Sequence, residues 1–439
     1  GEKIISPGTV IVSAGGEVSD VKKVVSPVMV NKDKSTFYHI DFSFDELRLG
    51  GSAFAQSLNK VGDDVPTVQN PEYFRDAFLA IQELVDKQLI TTLLEMCFAN
   101  TEGGMEINLD KIKCDDIVKI LFAENPGVII QVADKHKSEV KKILDEAGVG
   151  YVKIGVPTEE RHILVTKHDA TYQFGIDYLR DVWYSTSYLL DRKQSMNGCA
   201  KKRFENYKQQ PLEFVFDKSF TGKLSQFGLD PNRRTPSGIK AAIIREKGTN
   251  GEREMAYMLY LAGFDVKDVT MTDLISGRET LEDINMVVYC DGFSNSDVLG
   301  SAKGWAGSFL FNPKAKAALD NFYAREDTLS LGVCNGCQLM MELGLITPED
   351  KKKGKMLHND SHKFESNFLG VTVPMNRSVM FGSLSGSKLG IWVAHGEGKF
   401  SLPYPEDHYN VVLKYSYDEY PGNPNGSDYS VAGIASQDG

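Results

Sequence analysis

Two cysteines stand three residues apart in LGVCNGCQLM, residues 331–340, and thiols can bind metal, form a disulfide or act as nucleophiles. Zinc needs about four ligands, whereas Cys334 and Cys337 supply two, so His358 and His362 would have to come from another element. A redox pair is typical where the first cysteine opens a helix after a strand, which the pattern predicts here. A single nucleophile is the third possibility.

Glycines flank Cys334 on both sides in the pattern Gly332-x-Cys334-x-Gly336. A strand ending just before the cysteine and a helix starting just after it would hold it in a strained turn, and the glycines would let both elements pass closely. Because N–H groups at the helix start favour negative charge, we expect a stabilised thiolate beside a donor for an oxyanion. We predict that Cys334 is a nucleophile, with an ordinary buried cysteine as the alternative, and that Cys337 is a packed thiol.

The elements that must position this cysteine follow Pro236, where strand patterns alternate with helix patterns. Such alternation predicts a parallel sheet with helices on both faces, an α/β fold. In chain order the segments are KAAIIREKG, EREMAYMLYLAGF, DVKDVTM, NMVVYCDGF, PKAKAALDNFYA, TLSLGV and CNGCQLMMELGL.

Three regions are predicted. Residues 1–170 form one mixed domain, residues 171–237 a charged, aromatic-rich linker with helices, and residues 238–439 the α/β domain. The first domain contains the apolar strand patterns TVIVSA, FYHIDF, GVIIQV and RHILVT and the amphipathic helix patterns YFRDAFLAIQELVDKQL and SEVKKILDEAG.

Composition excludes several classes of protein. The net charge of -11 argues against a nucleic-acid binder, because neutralising phosphates needs clustered Lys and Arg. No apolar stretch is long enough to cross a bilayer and no signal segment opens the chain, so we expect no membrane partner and a cytoplasmic protein. Six cysteines without dense spacing indicate reduced thiols.

Both chain ends suggest a piece of a longer protein. The chain starts at Gly1 without Met and ends on VAGIASQDG, a strand pattern that runs into a turn signal without a following strand. We therefore expect further sequence beyond both ends.

The stretch GVCNGCQ resembles the nucleophile motif of class I glutamine amidotransferases, whose triad is Cys, His and Glu. Together with YCDGFSNSDVLGSAKGWAGSFLFN, KFESNF and AHGEGKF it resembles the phosphoribosylformylglycinamidine synthases of the large, single-chain type. Upstream, PGTVIVSAGGEVSDVKKVVSPVM, LGGSAFAQSL, LLEMCFA and NPGVIIQV are similar to the second half of those enzymes that is like aminoimidazole-ribonucleotide synthetase. The resemblance implies a synthetase-like α+β domain followed by a flavodoxin-like amidotransferase domain, truncated at its carboxyl end.

The resemblance also implies a reaction of purine synthesis in two sites. Glutamine is hydrolysed in the amidotransferase domain, and the ammonia reaches a site where ATP, with Mg²⁺, activates formylglycinamide ribonucleotide. Ammonia then displaces phosphate to give formylglycinamidine ribonucleotide. The amino-terminal half of the protein, with the principal substrate site, would precede Gly1, so we expect this chain alone to perform no ATP-dependent amidation.

Site residues follow from the matching motifs. The resemblance assigns the oxyanion donors to backbone N–H groups of Gly292, Phe293 and Asn335, although the family usually has glycine where this chain has Asp291. It assigns glutamine binding to a set of four residues: Gln338, His395, Gly396 and Glu397.

Two of these assignments have alternatives. Gln338 is otherwise a polar helix residue. His395 is otherwise a triad base or a structural residue, because His395-Gly396-Glu397 is the one His-x-Glu of the chain. In the family the triad pair belongs to a His-Pro-Glu sequence, which we expect after Gly439.

The synthetase half lacks a loop of the family. Between Ile90 and Thr91 the family has an Asp-x-Ser-x-Gly-Gly loop that contacts metal and nucleotide, so we expect no metal ligands in this chain. Gly50, Gly51 and Ser52 precede a helix and are candidates to hold a nucleotide phosphate, or they form a plain turn and N-cap. A stand-alone amidotransferase for another acceptor and a catalytically silent scaffold remain as alternative functions.

Overall fold

The structure is a computed structural model that describes Ser13, residues 26–30, 34–81 and 89–439, of residues 89 and 90 only the backbone. The predicted strand TVIVSA, apart from Ser13, lies outside the described residues, and so does part of the run that joins at Ile90 and Thr91. The chain divides between Ser185 and Thr186 into two units, and each is described by itself.

The first unit is built on one six-stranded sheet. Its order is β3-β1-β4-β2-β5-β6, and every neighbouring pair is antiparallel except β2 and β5, which are parallel. The predicted strands FYHIDF, GVIIQV and RHILVT are confirmed as β1, β3 and β5. The strands are β1 Ser35–Asp41, β2 Gly104–Asn108, β3 Gly127–Ala133, β4 Val152–Thr158, β5 His162–Lys167 and β6 Ala170–Gly175.

Helices cover both faces of this sheet because its central strands are apolar on both sides. In β1, Tyr38 and Ile40 pack with Ala77 and Leu144 on one face, while Phe37 packs into a separate cluster on the other. The predicted helix SEVKKILDEAG is confirmed as α5. The helices are α1 Ala53–Ser57, α2 Pro71–Ile81, α3 Leu89–Phe98, α4 Ile117–Phe122 and α5 Lys137–Glu146.

The predicted linker of residues 171–237 is divided between the two units. It begins with the end of β6 and with α6 Ile176–Gln194, a helix that runs across the division at Ser185. Helix α7 Cys199–Glu205 follows in the second unit. Residues 186–237 therefore belong physically to the unit that holds Cys334.

A four-stranded parallel sheet forms the centre of the second unit, in the order β10-β9-β7-β8. The alternation of strands and helices predicted after Pro236 is confirmed, and the structure adds α9 and α10, which were not predicted. The strands are β7 Lys240–Arg245, β8 Asp265–Thr270, β9 Met286–Tyr289 and β10 Leu329–Gly332. The helices are α8 Glu252–Leu261, α9 Met271–Ser276, α10 Lys303–Leu310, α11 Pro313–Tyr323 and α12 Asn335–Leu343.

Successive residues of the parallel strands point to opposite faces and enter two separate cores. Ile243 and Val288 pack against α8, whose Leu259 is buried with them. Ile244 and Tyr289 pack on the other face against residues of α9 to α12. The predicted arrangement of helices on both faces of a parallel sheet is therefore confirmed.

Antiparallel strands complete the second unit. One sheet has the order β13-β12-β15-β16, and β11 pairs with β14. The terminal VAGIA pattern is confirmed as β16, which pairs with β15. The strands are β11 Lys355–Leu357, β12 Glu365–Thr372, β13 Lys388–His395, β14 Lys399–Ser401, β15 Asn410–Tyr415 and β16 Val431–Ala435.

We expect Phe309→Ala to lower the free energy of unfolding by about 3–5 kcal/mol, because Phe309 is 1% exposed in the core that supports Tyr289. Phe311→Ala is the matched control, since Phe311 lies two residues further on and is 87% exposed, and we expect a change within about 0.5 kcal/mol. Urea unfolding monitored by circular dichroism measures both variants. Equal losses in the two variants would contradict this account of the core.

Candidate active site around Cys334

Cys334 lies in a strained turn between β10 and α12, with φ 51° and ψ -106°. A side chain at either flanking glycine has no room, because a Cβ on Gly332 would lie 2.5 Å from the Gly336 carbonyl oxygen and one on Gly336 would lie 2.0 Å from the Tyr289 carbonyl oxygen. The predicted turn and the predicted need for both glycines are confirmed. A positive φ in a residue with a side chain costs about 1–3 kcal/mol and is typical of functional sites.

Backbone N–H groups from two loops are directed at the Cys334 sulfur. Hydrogen bonds from Asn335 and Gly292 act to lower the pKa of the thiol, as donors to a negative charge do. Gly292 has φ 116°, and a Cβ there would lie 2.7 Å from Thr249 Cα, so glycine is required at this position. Asp291, which stands where the family usually has a glycine, needs no positive φ.

Phe293 differs from the prediction. Its N–H donates to the Gly248 carbonyl oxygen at 2.9 Å and is therefore not directed at the sulfur. The assignment of Phe293 as an oxyanion donor is wrong for this conformation, because its N–H is bound to the Gly248 carbonyl oxygen in the loop after β7. Gly292 and Asn335 remain as the pair of donors.

The net effect of the site on the sulfur is also opposite to the expectation. Burial raises the pKa of Cys334, and the carboxylates of Asp291 and Asp297 raise it further, against the two N–H groups. In this conformation the surroundings of the sulfur therefore disfavour the thiolate, against the expectation of a stabilised one. A base must take the proton before the sulfur can attack.

Cys337 is confirmed as a packed thiol. Both cysteines are free, and Cys337 packs against the apolar cluster of Met341 and Phe400, where burial raises its pKa to about 12. Within the described parts of the chain, no group of three or more His, Cys, Asp or Glu side chains is arranged to hold a metal ion.

A chain of buried amide groups joins the three segments around the sulfur. The Ser294 N–H donates to Asn335 Oδ1 at 3.1 Å, and Asn335 Nδ2 donates to Gln338 Oε1 at 2.9 Å. Gln338 Nε2 donates in turn to the Glu397 carbonyl oxygen at 2.8 Å. Both polar ends of Gln338 are thus engaged inside the protein, which favours a structural role over the predicted glutamine binding.

His395 ends β13 beside the nucleophile, but its ring is engaged elsewhere. Its Nε2 is 2.9 Å from Asn425 Oδ1, and burial lowers its pKa. The group that meets the sulfur is the preceding carbonyl, since Cys334 Sγ lies 3.6 Å from the Ala394 oxygen. This geometry favours His395 as a pocket residue or a structural residue over His395 as a triad base.

The two residues after His395 form the rest of the turn. Gly396 has open space where a Cβ would stand, and its carbonyl oxygen accepts a hydrogen bond from the Asn359 N–H at 3.0 Å. The Glu397 carboxylate is 3.8 Å from His358 Nδ1, and its charge helps to raise the pKa of Asp297, which burial raises most. The Glu397 carboxylate therefore lies near Asp297, which is one of the two carboxylates that act on the Cys334 sulfur.

Sequence reasoning missed Asn359, which braces this turn. Its side chain is fully buried, its Nδ2 donates to the His395 carbonyl oxygen at 2.7 Å, and its Oδ1 accepts from the Gly398 N–H at 3.0 Å. Nothing in HNDSHK marks this residue, because the contact joins segments far apart in the chain.

Gly50, Gly51 and Ser52 form a turn and an N-cap. Ser52 Oγ accepts from the Ala55 N–H at 3.1 Å, and the Ala53 N–H is taken by the Glu124 carboxylate at 2.7 Å. The Gly50 and Gly51 N–H groups donate to backbone carbonyls. This geometry favours the plain turn and N-cap over a nucleotide-phosphate site, because these donors are occupied and a carboxylate already stands at the helix start.

Comparison with known proteins extends the picture beyond the site. A family model described as a CobB/CobQ-like glutamine amidotransferase domain matches residues 238–439. A second, described as the C-terminal domain of AIR synthase related proteins, matches residues 88–167. These two matches confirm the expected fold class.

Curated relatives match the chain over its full length. It is 35% identical to a probable phosphoribosylformylglycinamidine synthase, chloroplastic/mitochondrial, of Arabidopsis thaliana, covering 100% of this chain and 33% of the relative. Over its full length the chain is similar to the phosphoribosylformylglycinamidine synthases. It is 33% identical to the family member of Homo sapiens and 32% to that of Drosophila melanogaster, covering all of this chain and 36% of each relative.

The chain therefore spans about a third of the length of the curated synthases that it matches. Among solved structures, one titled as the structure of PurLQS from Thermotoga maritima shares 27% identity over 46% of this chain and 84% of the other, with a TM-score of 0.37. Among the described residues, no helix is both long and apolar enough to span a membrane.

We expect Asp291→Asn to lower the pKa of Cys334, because it removes a carboxylate charge that raises that pKa. Only the thiolate reacts with iodoacetamide, so the midpoint of the alkylation rate against pH moves down. A shift of one unit makes alkylation about tenfold faster at a fixed pH below the midpoint.

Asp283→Asn is the control of equal charge, because Asp283 pairs with Lys240 at the start of β7, at the opposite end of the sheet. Its midpoint should equal that of the unaltered protein. An unchanged or raised midpoint in Asp291→Asn would show that Asp291 does not set the charge of the site.

Proposed function

We propose that this chain is the glutamine-hydrolysing portion of a phosphoribosylformylglycinamidine synthase that acts in purine biosynthesis. The observation that carries the proposal is the strained turn at Cys334, with the N–H groups of Gly292 and Asn335 directed at its sulfur. A nucleophile and two donors that meet at one point are the parts that hydrolysis of an amide requires.

In the proposed reaction the Cys334 thiolate attacks the side-chain amide carbon of glutamine. The amide oxygen becomes an oxyanion and accepts hydrogen bonds from Gly292 and Asn335. Collapse of this intermediate expels ammonia after protonation of the nitrogen and leaves a glutamyl thioester on Cys334. Water then cleaves the thioester, which releases glutamate and restores the thiol.

The proton of Cys334 needs an acceptor, because burial raises the pKa of this thiol and so disfavours the thiolate. His395 is a poor candidate, since its Nε2 is bound to Asn425 and burial lowers its pKa. We infer that the base is the histidine of the His-Pro-Glu sequence that the family resemblance leads us to expect after Gly439.

The complete reaction would use ATP, Mg²⁺ and formylglycinamide ribonucleotide, which the ammonia converts to formylglycinamidine ribonucleotide. The Gly50 to Ser52 turn does not suit a nucleotide phosphate, because its donors are occupied. Nor do the described residues offer a cluster of metal ligands. We infer that other parts of the full protein, the amino-terminal half above all, hold these groups and that the whole acts in the cytoplasm.

A stand-alone amidotransferase for another acceptor explains only part of the chain. The AIR synthase related match at residues 88–167 and the full-length similarity to the synthases both include the first unit. These similarities favour an enzyme in which ammonia made at Cys334 is used by the same protein.

We expect a glutamine analogue with a reactive diazoketone to label Cys334 in the full-length protein before any of the other five cysteines. The analogue places its electrophilic carbon where the amide carbon binds, so free glutamine should protect Cys334 and Cys334→Ser should abolish labelling. Mass spectrometry of peptides after brief treatment measures the sites. Cys337→Ser is the control for a neighbouring thiol and should still be labelled.

Labelling spread evenly over all six cysteines would refute the proposed glutaminase site. Labelling of Cys334 that free glutamine does not reduce would refute glutamine as its substrate.

A further inference from the structure

Glu365 is a buried carboxylate close to the proposed site. It opens β12 and stands directly opposite His395 in the antiparallel pair with β13. Its side chain is 1% exposed. A buried charge costs several kcal/mol unless it is paired and hydrogen-bonded, so the groups that pair with Glu365 hold this end of β12 in place.

Arg203 of α7 supplies the positive charge for Glu365. Its Nη2 donates to Glu365 Oε2 at 2.8 Å, and its Nη1 donates to Asp191 Oδ2 at 2.7 Å. The guanidinium also contacts the Tyr420 hydroxyl and lies over the Tyr420 ring, 5.0 Å from its centre. A planar fork that reaches two carboxylates at once is particular to arginine.

Other side chains complete the shell around Glu365 without adding positive charge. Asn367 Nδ2 donates to Glu365 Oε2 at 3.0 Å, and the Tyr420 hydroxyl donates to Oε1 at 3.1 Å. Lys363, two residues before Glu365, pairs with Asp191 rather than with Glu365, at 2.6 Å. Arg203 is therefore the charged donor among the hydrogen bonds that Glu365 accepts from Arg203, Asn367 and Tyr420.

The strand opposite Glu365 leads directly to the nucleophile. The Ala394 carbonyl oxygen lies 3.6 Å from Cys334 Sγ, and the Glu397 carbonyl oxygen accepts the bond from Gln338, one turn into the nucleophile helix. Residues 394–397 thus touch the nucleophile turn and its helix at two points. Any shift of β12 at Glu365 moves this segment, because Glu365 and His395 are direct partners in the sheet.

We propose that Arg203 is a positioning residue for the glutamine site, holding residues 394–397 against the Cys334 turn through Glu365. This inference rests on the proposed function. It assigns part of the active site to α7, which lies outside the residues 238–439 that match the amidotransferase family. The oxyanion donors belong to other segments, so loss of Arg203 should disturb the substrate pocket and spare the nucleophile itself.

The test compares two reagents on Cys334 in the full-length protein. In Arg203→Met, labelling by the diazoketone analogue of glutamine should slow about tenfold or more, because a small misplacement of a bound substrate has effects of this size. Labelling by iodoacetamide, which needs no pocket, should be unchanged. Lys201→Met is the matched control on the same helix, because Lys201 is 68% exposed, and it should behave as the unaltered protein.

Arg203→Lys and Glu365→Gln keep the proposal testable if Arg203→Met fails to fold. Lysine retains the charge without the fork, so we expect an intermediate loss, and glutamine removes the buried charge, so we expect the same selective loss. If the folded variants react with the analogue as fast as the unaltered protein does, Arg203 acts on stability alone. If the rates with both reagents fall in parallel, Arg203 supports the nucleophile turn instead. Either result overturns the proposal. Failure of the unaltered protein to label selectively at Cys334 would instead refute the proposed function.

Discussion

The close approach of α12 to the end of β9 is the constraint on which the site depends. Gly336 lies against the Tyr289 carbonyl so tightly that a Cβ would stand 2.0 Å from its oxygen. The chain can enter the helix at that distance only through the positive φ of Cys334. Because β9 and β10 are parallel neighbours, with Gly332 paired to Tyr289, the loops after both strands emerge at one edge of the sheet. That shared edge brings the Gly292 N–H and the Asn335 N–H to the same sulfur.

Burial and nearby carboxylates act on the pKa of this sulfur in the opposite direction to the N–H groups at the start of the helix. Two N–H groups favour the thiolate, but burial and the carboxylates of Asp291 and Asp297 outweigh them, so the pKa of Cys334 is raised. Burial also raises the pKa values of Asp291 and Asp297 themselves. A raised thiol pKa slows oxidation, which begins from the thiolate. The same negative surroundings suit the ammonium group of an amino-acid substrate and would become favourable to catalysis when that group arrives.

Local pattern was enough to predict the framework and insufficient to predict the charges. The Gly-x-Cys-x-Gly spacing determines a turn within five residues. The spacing of apolar residues along a strand reflects which of its faces are buried, so it can be read from the sequence. Helix α10 was not predicted because the glycines of GSAKGWAGS weaken the helix signal in the sequence. The burial of Trp305 and Phe309 stabilises this helix in the fold. The direction of the Cys334 pKa shift depends on Asp291 and Asp297, which lie some forty residues earlier in the sequence. The role of the Phe293 N–H depends likewise on Gly248, a partner that no local pattern reveals.

The boundary that family similarity draws at residue 238 is not a physical boundary. Glu365 lies well inside the matched residues 238–439, yet its guanidinium partner is on α7 and the second carboxylate of that fork, Asp191, is on α6. A chain cut at residue 238 would keep the buried carboxylate and lose its counterion, which is the costly way to break a buried pair. Residues 186–237 are therefore part of the amidotransferase unit in energetic terms. Their sequence looks like a linker because its charged and aromatic residues follow no regular apolar period.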